Sequence, residues 1–226
     1  LIKHPKGDII IDGGMPIETA IDKHKHWGSV IEAYDPVMKK SEWCRDQIKT
    51  VNTNPEDIKY VIQTHLHLDH SGAIGHFPNA THITQRLEYD YAFNPDWFSQ
   101  PAYIREDFDK PNIRWKFLQG RKTDFYDVHG DGVIKIIFTP GHTPGHQSVL
   151  VNLPKTGHML FTGDACYTED HWCDKCLPGL VASSSDAAES VSKLRKVAKE
   201  HDATVVWGHD PISWKIWKKA PMFYYD

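Results

Sequence analysis

Thr64-His65-Leu66-His67-Leu68-Asp69-His70-Ser71-Gly72 follows the apolar run Tyr60-Val61-Ile62-Gln63 and crowds three imidazoles and a carboxylate into six positions. Nothing structural needs that density. Neutral imidazole and carboxylate are the ligands that borderline metals such as zinc prefer, and residues two apart in an extended or turning segment point to one side. His65 and His67 can therefore hold one ion. Asp69 and His70, directly around a tight turn, can face a second, at the roughly 3.5 to 4 Å spacing of two-metal hydrolytic sites.

Working outward, the same arrangement recurs. Asp8-Ile9-Ile10-Ile11-Asp12-Gly13-Gly14 reads as a buried strand broken by two glycines, and residues 60–63 as the strand that delivers the histidine cluster. Residues 132–138 form a strand ending at Thr139-Pro140-Gly141-His142-Thr143-Pro144-Gly145-His146. Residues 147–152 and 158–162 are two more, the latter ending at Gly163-Asp164, and residues 203–207 run into Gly208-His209-Asp210. Four apolar strands thus stop at turns carrying metal-type ligands: His65 to His70, His142, Asp164 and His209. If those strands lie in layered sheets with their ends at one edge, the ligands converge there.

The connecting stretches are plainer. Residues 15–40 show no period and read as a long lid or wrapping loop with a little helix. Residues 41–50 can form a helix, and Asn54-Pro55-Glu56-Asp57 signals a short helical turn. Residues 81–84 read as a strand and 86–93 as a helix that runs into an aromatic patch. From Asp186, with Glu189 as in a capping box, Val191, Leu194, Val197 and Ala198 repeat at helical spacing.

Composition bounds the rest. With 226 residues, 40% hydrophobic, the expectation is one domain over 1–226. Because it opens almost on an inner strand, a missing or separate N-terminal piece, with its strands, is part of that expectation. A net charge of -4 without a basic run argues against nucleic acid. No apolar run reaches the roughly 20 residues that span a bilayer, and Leu1-Ile2-Lys3-His4-Pro5 has no signal-peptide pattern, so no membrane partner is expected. Cys44, Cys166, Cys173 and Cys176 are too few for a disulfide scaffold, which favours a reduced, cytoplasmic setting. Cys173-Asp174-Lys175-Cys176 reads as a solvent-facing loop.

The HxHxDH cluster, the later Gly-His, the Gly-Asp and the final Gly-His resemble the metallo-β-lactamase superfamily across essentially the whole chain. More closely, residues 139–148, Asp164-Ala165-Cys166-Tyr167 and Gly208-His209-Asp210 look like the N-acyl-homoserine lactonases, the quorum-quenching branch that includes γ-butyrolactone hydrolases. The resemblance implies an α/β fold, an αββα sandwich of the metallo-β-lactamase type. It implies that His65, His67 and His142 bind one metal, that Asp69, His70 and His209 bind another, and that Asp164 bridges both. Two Zn2+, or other divalent transition metals, are the implied cofactors. Tyr167 would touch the substrate carbonyl. Family members also carry several dozen residues before the strand at Ile9, and a small Ser or Ala is commoner than Cys at position 166, where a small buried filler is expected. His146, one turn after His142, is expected to orient it or to serve structure rather than to bind metal.

The expected reaction is hydrolytic opening of a lactone ring by a metal-activated hydroxide, with Asp69 and Tyr167 as the catalytic side chains. Trp27, Phe77, Tyr91, Trp97, Phe98 and Tyr103 are candidates for an acyl trench, each at least as readily core or dimer contact. The partner is a small-molecule lactone, and a homodimer is compatible with the aromatic patches. Three rivals would draw on the same cluster of ligands. A small-lactone hydrolase acting on γ-butyrolactone needs less pocket. A glyoxalase II-like thioesterase needs a C-terminal extension, and only 17 residues follow His209. A mononuclear iron persulfide dioxygenase would bind one iron and consume oxygen.

Overall fold

Ile9, Ile58, Val61, Ile62 and Ile83 are fully buried, as strands covered on both faces by other elements must be. They belong to the first of two compact units into which the chain divides in the computed structural model, which describes residues 1–226. This unit comprises Leu1–Thr84 and Tyr89–Phe117; the second comprises Gln85–Glu88 and Leu118–Asp226.

The first sheet has the order β1 (Asp8–Ile11), β2 (Ile58–Ile62), β3 (Thr81–Gln85), β4 (Arg114–Leu118). Pairs β1/β2 and β2/β3 are parallel, with Ile11 opposite Ile62, so β1 and β2 release their next residues at the same end. On the outer side of β1, Ile2 and Ile9 exchange backbone hydrogen bonds of 2.7 and 3.0 Å, which covers part of an otherwise open edge. Two apolar clusters support the sheet and its loops. One gathers Ile10, Ile48, Ile58, Val61, Ala73, Phe77 and Ala80. The other gathers Leu66, Ile74, Ala92, Tyr103 and Phe108.

Two local expectations are corrected here. Residues 15–40 hold more helix than expected: α1 covers Ile17–Trp27, interrupted at Asp22, whose φ of -156° and ψ of 88° are extended. The Asp22 carboxylate accepts from Lys25 N at 3.0 Å and so caps the second piece, which explains the absence of one continuous period. Residues 41–50 are three short pieces, 3-10 turns at Lys40–Glu42 and Ile48–Val51 flanking α2, Cys44–Gln47. Trp43 is extended, its ring buried and its indole N–H donating to Gly72 O at 3.2 Å; a tertiary anchor outweighs helix propensity at this point. The turn at Pro55–Asp57 stands as expected, with Asn54 N donating to Asp57 Oδ2 at 2.9 Å. Helix α3 spans Arg86–Phe93 and α4 Arg105–Phe108.

The second unit carries a sheet ordered β5 (Phe125–Asp127), β6 (Ile134–Phe138), β7 (Gln147–Leu153), β8 (Gly157–Phe161), β9 (Thr204–Val206). Its pairs are antiparallel except β8/β9, which is parallel. Strands β4 and β5 escape a reading of apolar runs because, unlike the edge strands β1 and β9, their sequences mix charged with aromatic residues and leave most of their side chains exposed or half-buried. After α5 (Glu169–Trp172) comes α6 (Ser184–His201), longer than its sequence signal: Ser183 is the N-cap, its hydroxyl accepting from Asp186 N at 3.3 Å, and Asp186 lies inside the first turn. The expected stripe of Val191, Leu194, Val197 and Ala198 is buried, and Leu194, Val197 and Ala198 pack on Ile137, Leu150 and Leu160. A buried leucine of this kind stabilises by roughly 2 to 5 kcal/mol against alanine. The chain continues through α7, Pro211–Ile216. No helix is long and apolar enough to cross a membrane.

Candidate metal centre

In the first unit the parallel β1/β2 register places Asp12 beside the start of the histidine cluster. Asp12 takes a positive φ of 51°, and its carboxylate accepts three hydrogen bonds: Thr64 N at 2.7 Å, Thr64 Oγ1 at 2.7 Å and His70 Nδ1 at 2.8 Å. Because a carboxylate only accepts, His70 carries its proton on Nδ1 and turns a lone pair outward at Nε2. Thr64 Oγ1 donates its hydrogen bond to Asp12, so it accepts from His65 Nδ1 at 3.0 Å and fixes the same tautomer there. One acid sets two imidazoles.

Around that anchor, His65, His67 and His70 are buried while Asp69 is partly open. The His65 ring lies 4.5 Å from that of His67 and 4.1 Å from that of His70. The ligand atoms of His65 and His67, of His65 and His70, and of Asp69 and His70 lie within 4.8 Å of each other. The turn itself closes through His70 N and Ser71 N donating to His67 O at 3.0 and 3.2 Å. Of the aromatics weighed for an acyl trench, Phe77 and Tyr103 belong to core clusters and Trp27 is buried, which favours the core reading of all three. Tyr103 stands edge-on to His67 at 4.6 Å, the Tyr91 hydroxyl donates to Asp96 at 3.0 Å, and Trp97 and Phe98 form an exposed pair.

In the second unit, strand register explains why distant residues meet. Phe138 pairs with Gln147, so the 139–146 connection with His142 leaves the sheet where β7 begins. Val149 pairs with Phe161 and Phe161 with Val206, so β8 and β9 end alongside, and Asp164 and His209 each sit three residues beyond paired positions. Gly208 N and His209 N donate to Cys166 O and Tyr167 O at 3.1 and 3.0 Å, which stitches the two loops together. Gly208 must be glycine: a Cβ there would lie 2.6 Å from Gly163 O.

His142 donates from Nδ1 to Leu180 O at 2.8 Å, leaving Nε2 toward Asp164 Oδ2 at 3.4 Å. Asp164 Oδ1 lies 3.2 Å from His209 Nε2. One carboxylate therefore divides its oxygens between two imidazoles. Leu180, not His146, orients His142, and of the two roles expected of His146 the structural one holds. His146 is fully buried, its Nδ1 lies 3.1 Å from Thr139 O and 2.9 Å from Thr139 Oγ1, and its Nε2 accepts from Asp164 N at 3.0 Å. It holds the loop of Asp164. Tyr167 sits between rings, 5.7 Å from His142 and 5.1 Å from His209 by centroid, with its hydroxyl 3.4 Å from His142 Nδ1. Cys166 is buried and its thiol is pushed up to about 12 by burial, as an inert filler would be. Cys173 and Cys176 are exposed and free.

The donor set fits a metal. With the proton on Nδ1, the Nε2 lone pair of His142 faces a carboxylate oxygen at 3.4 Å, and that of His70 faces Asp69 Oδ2 at 3.7 Å. Two electron-rich atoms so placed repel, and a cation between them reverses the sign. The residues missed in the sequence are Asp12, Thr64 and Leu180. Asp12 and Thr64 reach their partners only through pairing across β1 and β2, and Leu180 acts through a backbone carbonyl that any residue supplies.

In each unit of this mixed α/β chain, imidazoles and carboxylates at strand ends make a donor set suited to metal, the mark of a metal-binding fold. The model of the metallo-beta-lactamase superfamily matches residues 1–209, and the chain belongs to that superfamily. It is 59% identical over 224 residues to the N-acyl homoserine lactonase AttM of Rhizobium radiobacter, covering 99% of this chain and 85% of that protein. Among solved structures, it matches an N-acyl homoserine lactone hydrolase with N-hexanoyl-L-homoserine bound at its catalytic metal centre, with a TM-score of 0.84 and 30% identity over 97% of this chain and 83% of the other. A variant of Bacillus thuringiensis AiiA with N-decanoyl-L-homoserine at its active site gives 0.83 and 30% over 96% and 82%.

Proposed function

We propose that the chain is an N-acyl-homoserine lactonase in which His65, His67 and His142 hold one divalent ion, Asp69, His70 and His209 hold a second, and Asp164 is shared by both. The observation that carries this reading is the division of the Asp164 oxygens between His142 and His209, the disposition a bridging carboxylate needs. The 59% identity to a protein named for this activity supports the substrate class. The all-imidazole and carboxylate donor set suits Zn2+. When bound, such an ion pair supplies a nucleophilic water near pH 7 and Lewis acidity at the carbonyl.

The chain's own residues contribute the rest. Asp12, Thr64 and Leu180 keep His65, His70 and His142 in the tautomer that presents Nε2. The Tyr167 hydroxyl donates to the lactone carbonyl oxygen as negative charge grows there, a hydrogen bond that strengthens in the transition state. Asp69, the most open of the acids in the cluster, takes the proton of the attacking water and returns it to the ring oxygen as that bond breaks, giving the hydroxy acid. The four free thiols support a reducing, cytoplasmic location.

The test is metal analysis together with proton release from γ-butyrolactone and from short- and long-chain N-acyl-homoserine lactones. Two ions per chain and faster opening of the acyl-homoserine lactones are expected, with metal and activity lost together in Asp164→Ala. One iron per chain with oxygen uptake, or turnover confined to γ-butyrolactone, would overturn this assignment.

A further inference from the structure

Behind the histidine cluster lies a buried group that the proposed reaction does not use. The Asp107 carboxylate, in α4, has a side chain only 2% exposed, and it receives two contacts: His26 Nε2 at 3.0 Å and the Ser71 hydroxyl at 3.2 Å. His26 comes from the last turn of α1, and its own side chain is 6% exposed. The hydrogen bond to Asp107 raises its imidazole above the ordinary value, as a buried acid in need of a counter-charge would. Ser71 follows His70 directly, in the turn whose backbone closes on His67 O.

The segment that carries Asp107 touches the cluster at two further points. Leu68 N donates to Ala102 O at 2.9 Å, and the Tyr103 ring stands against His67. The turn 67–71 is therefore gripped from two sides, by Asp12 on the His70 ring and by Asp107 on the next residue. At a site 1% exposed, the Ser71 hydroxyl gives the buried Asp107 carboxylate a second partner on the oxygen that His26 does not take.

Resting on the metal reading given above, we infer that His26 and Asp107 are a positioning pair that acts through Ser71 to hold the Asp69-His70 turn in register for the second ion. The pair ties α1 to the ligand turn, and neither residue touches ion or substrate. Loss of either contact loosens the second ion selectively, because Asp69 and His70 lie at the end of the turn next to Ser71, whereas His65 lies before it and keeps its own anchor on Thr64. Partners that orient metal ligands typically change affinity by about 10- to 100-fold, and one step further out about tenfold is expected.

The measurement is stepwise ion release to a chromophoric chelator from zinc-loaded full-length protein, beside thermal unfolding of the metal-free form. Ser71→Ala and His26→Ala are expected to give up one of two ions about tenfold more readily than the parent while holding the other as the parent does. His26→Gln, which keeps an N–H aimed at Asp107, restores parental release. If Ser71→Ala and His26→Ala release both ions as the parent does, or weaken both equally in step with a lower metal-free Tm, the pair is only structural and the inference fails. No lactone enters this measurement: a parent that binds two ions and opens no lactone sinks the hydrolase reading alone, whereas a parent that takes up one ion overturns both.

Discussion

Replacing Asp12 by Asn keeps size and shape but reverses polarity at one atom. In the native arrangement Oδ1 accepts from Thr64 N, and Oδ2 accepts from both Thr64 Oγ1 and His70 Nδ1. The asparagine oxygen must stay on Thr64 N, since turning the amide over would set two N–H donors against each other. Its NH2 then faces Thr64 Oγ1 and His70 Nδ1, so both must become acceptors. His70 moves its proton to Nε2, and Thr64 donates to His65 Nδ1 and drives His65 the same way. Each charge-assisted bond lost is worth about 1.5 to 3 kcal/mol, or roughly 10- to 100-fold in ion affinity at each imidazole. Chelator competition on Asp12→Asn should show both ions weakened by that amount, and 15N spectra of the metal-free protein should show His70 protonated at Nε2. Parental affinity for both ions with His70 still protonated at Nδ1 would refute this account of how the ligands are set.

Three other outcomes follow from the same structure. Tyr167→Phe should retain full metal content and lower kcat by about tenfold or more with little change in KM, because its hydroxyl is needed only as the carbonyl charges; steady-state kinetics with metal analysis checks this. His82, on β3, is driven down to about 4 by burial and then by Lys110, so it stays neutral when folded but protonates near 6.5 when unfolded. Stability tied to it is intact above pH 6.5 and is lost as pH falls toward 4, by at most about 3 kcal/mol; urea unfolding at pH 7 and 4.5 should show the parent losing more than His82→Leu, and equal losses would count against burial as the cause. Gly141 has φ of +141°, and a Cβ there would lie 2.4 Å from the backbone of Ala187 in α6, so Gly141→Ala should destabilise by about 3 kcal/mol in denaturant titrations.

Much of the site is legible from residue order because its chemistry is carried by residue type. Three imidazoles and an acid within six positions have no structural use, and His142, Asp164 and His209 each follow an apolar run that ends in a turn. Most of the strands are legible for a related reason: burial against other elements leaves runs rich in isoleucine and valine, as at Ile9-Ile10-Ile11 and Ile136-Ile137. Edge strands β4 and β5 leave no such trace. Helix α1 is obscured because Asp22 splits it into pieces too short to show a period, and α2 because Trp43 gives up helical geometry to reach Gly72 O.

What the sequence determined by itself is which atoms can bind metal and in what order they come along the chain. Which nitrogen of each histidine is presented was decided only in three dimensions. Asp12 reaches Thr64 and His70 across 52 and 58 residues through one parallel strand register, and Leu180 reaches His142 across 38. Local patterns encode neighbours a turn or a strand apart, whereas a tautomer is fixed by whichever acceptor lies within about 3 Å, and only the folded backbone sets that distance.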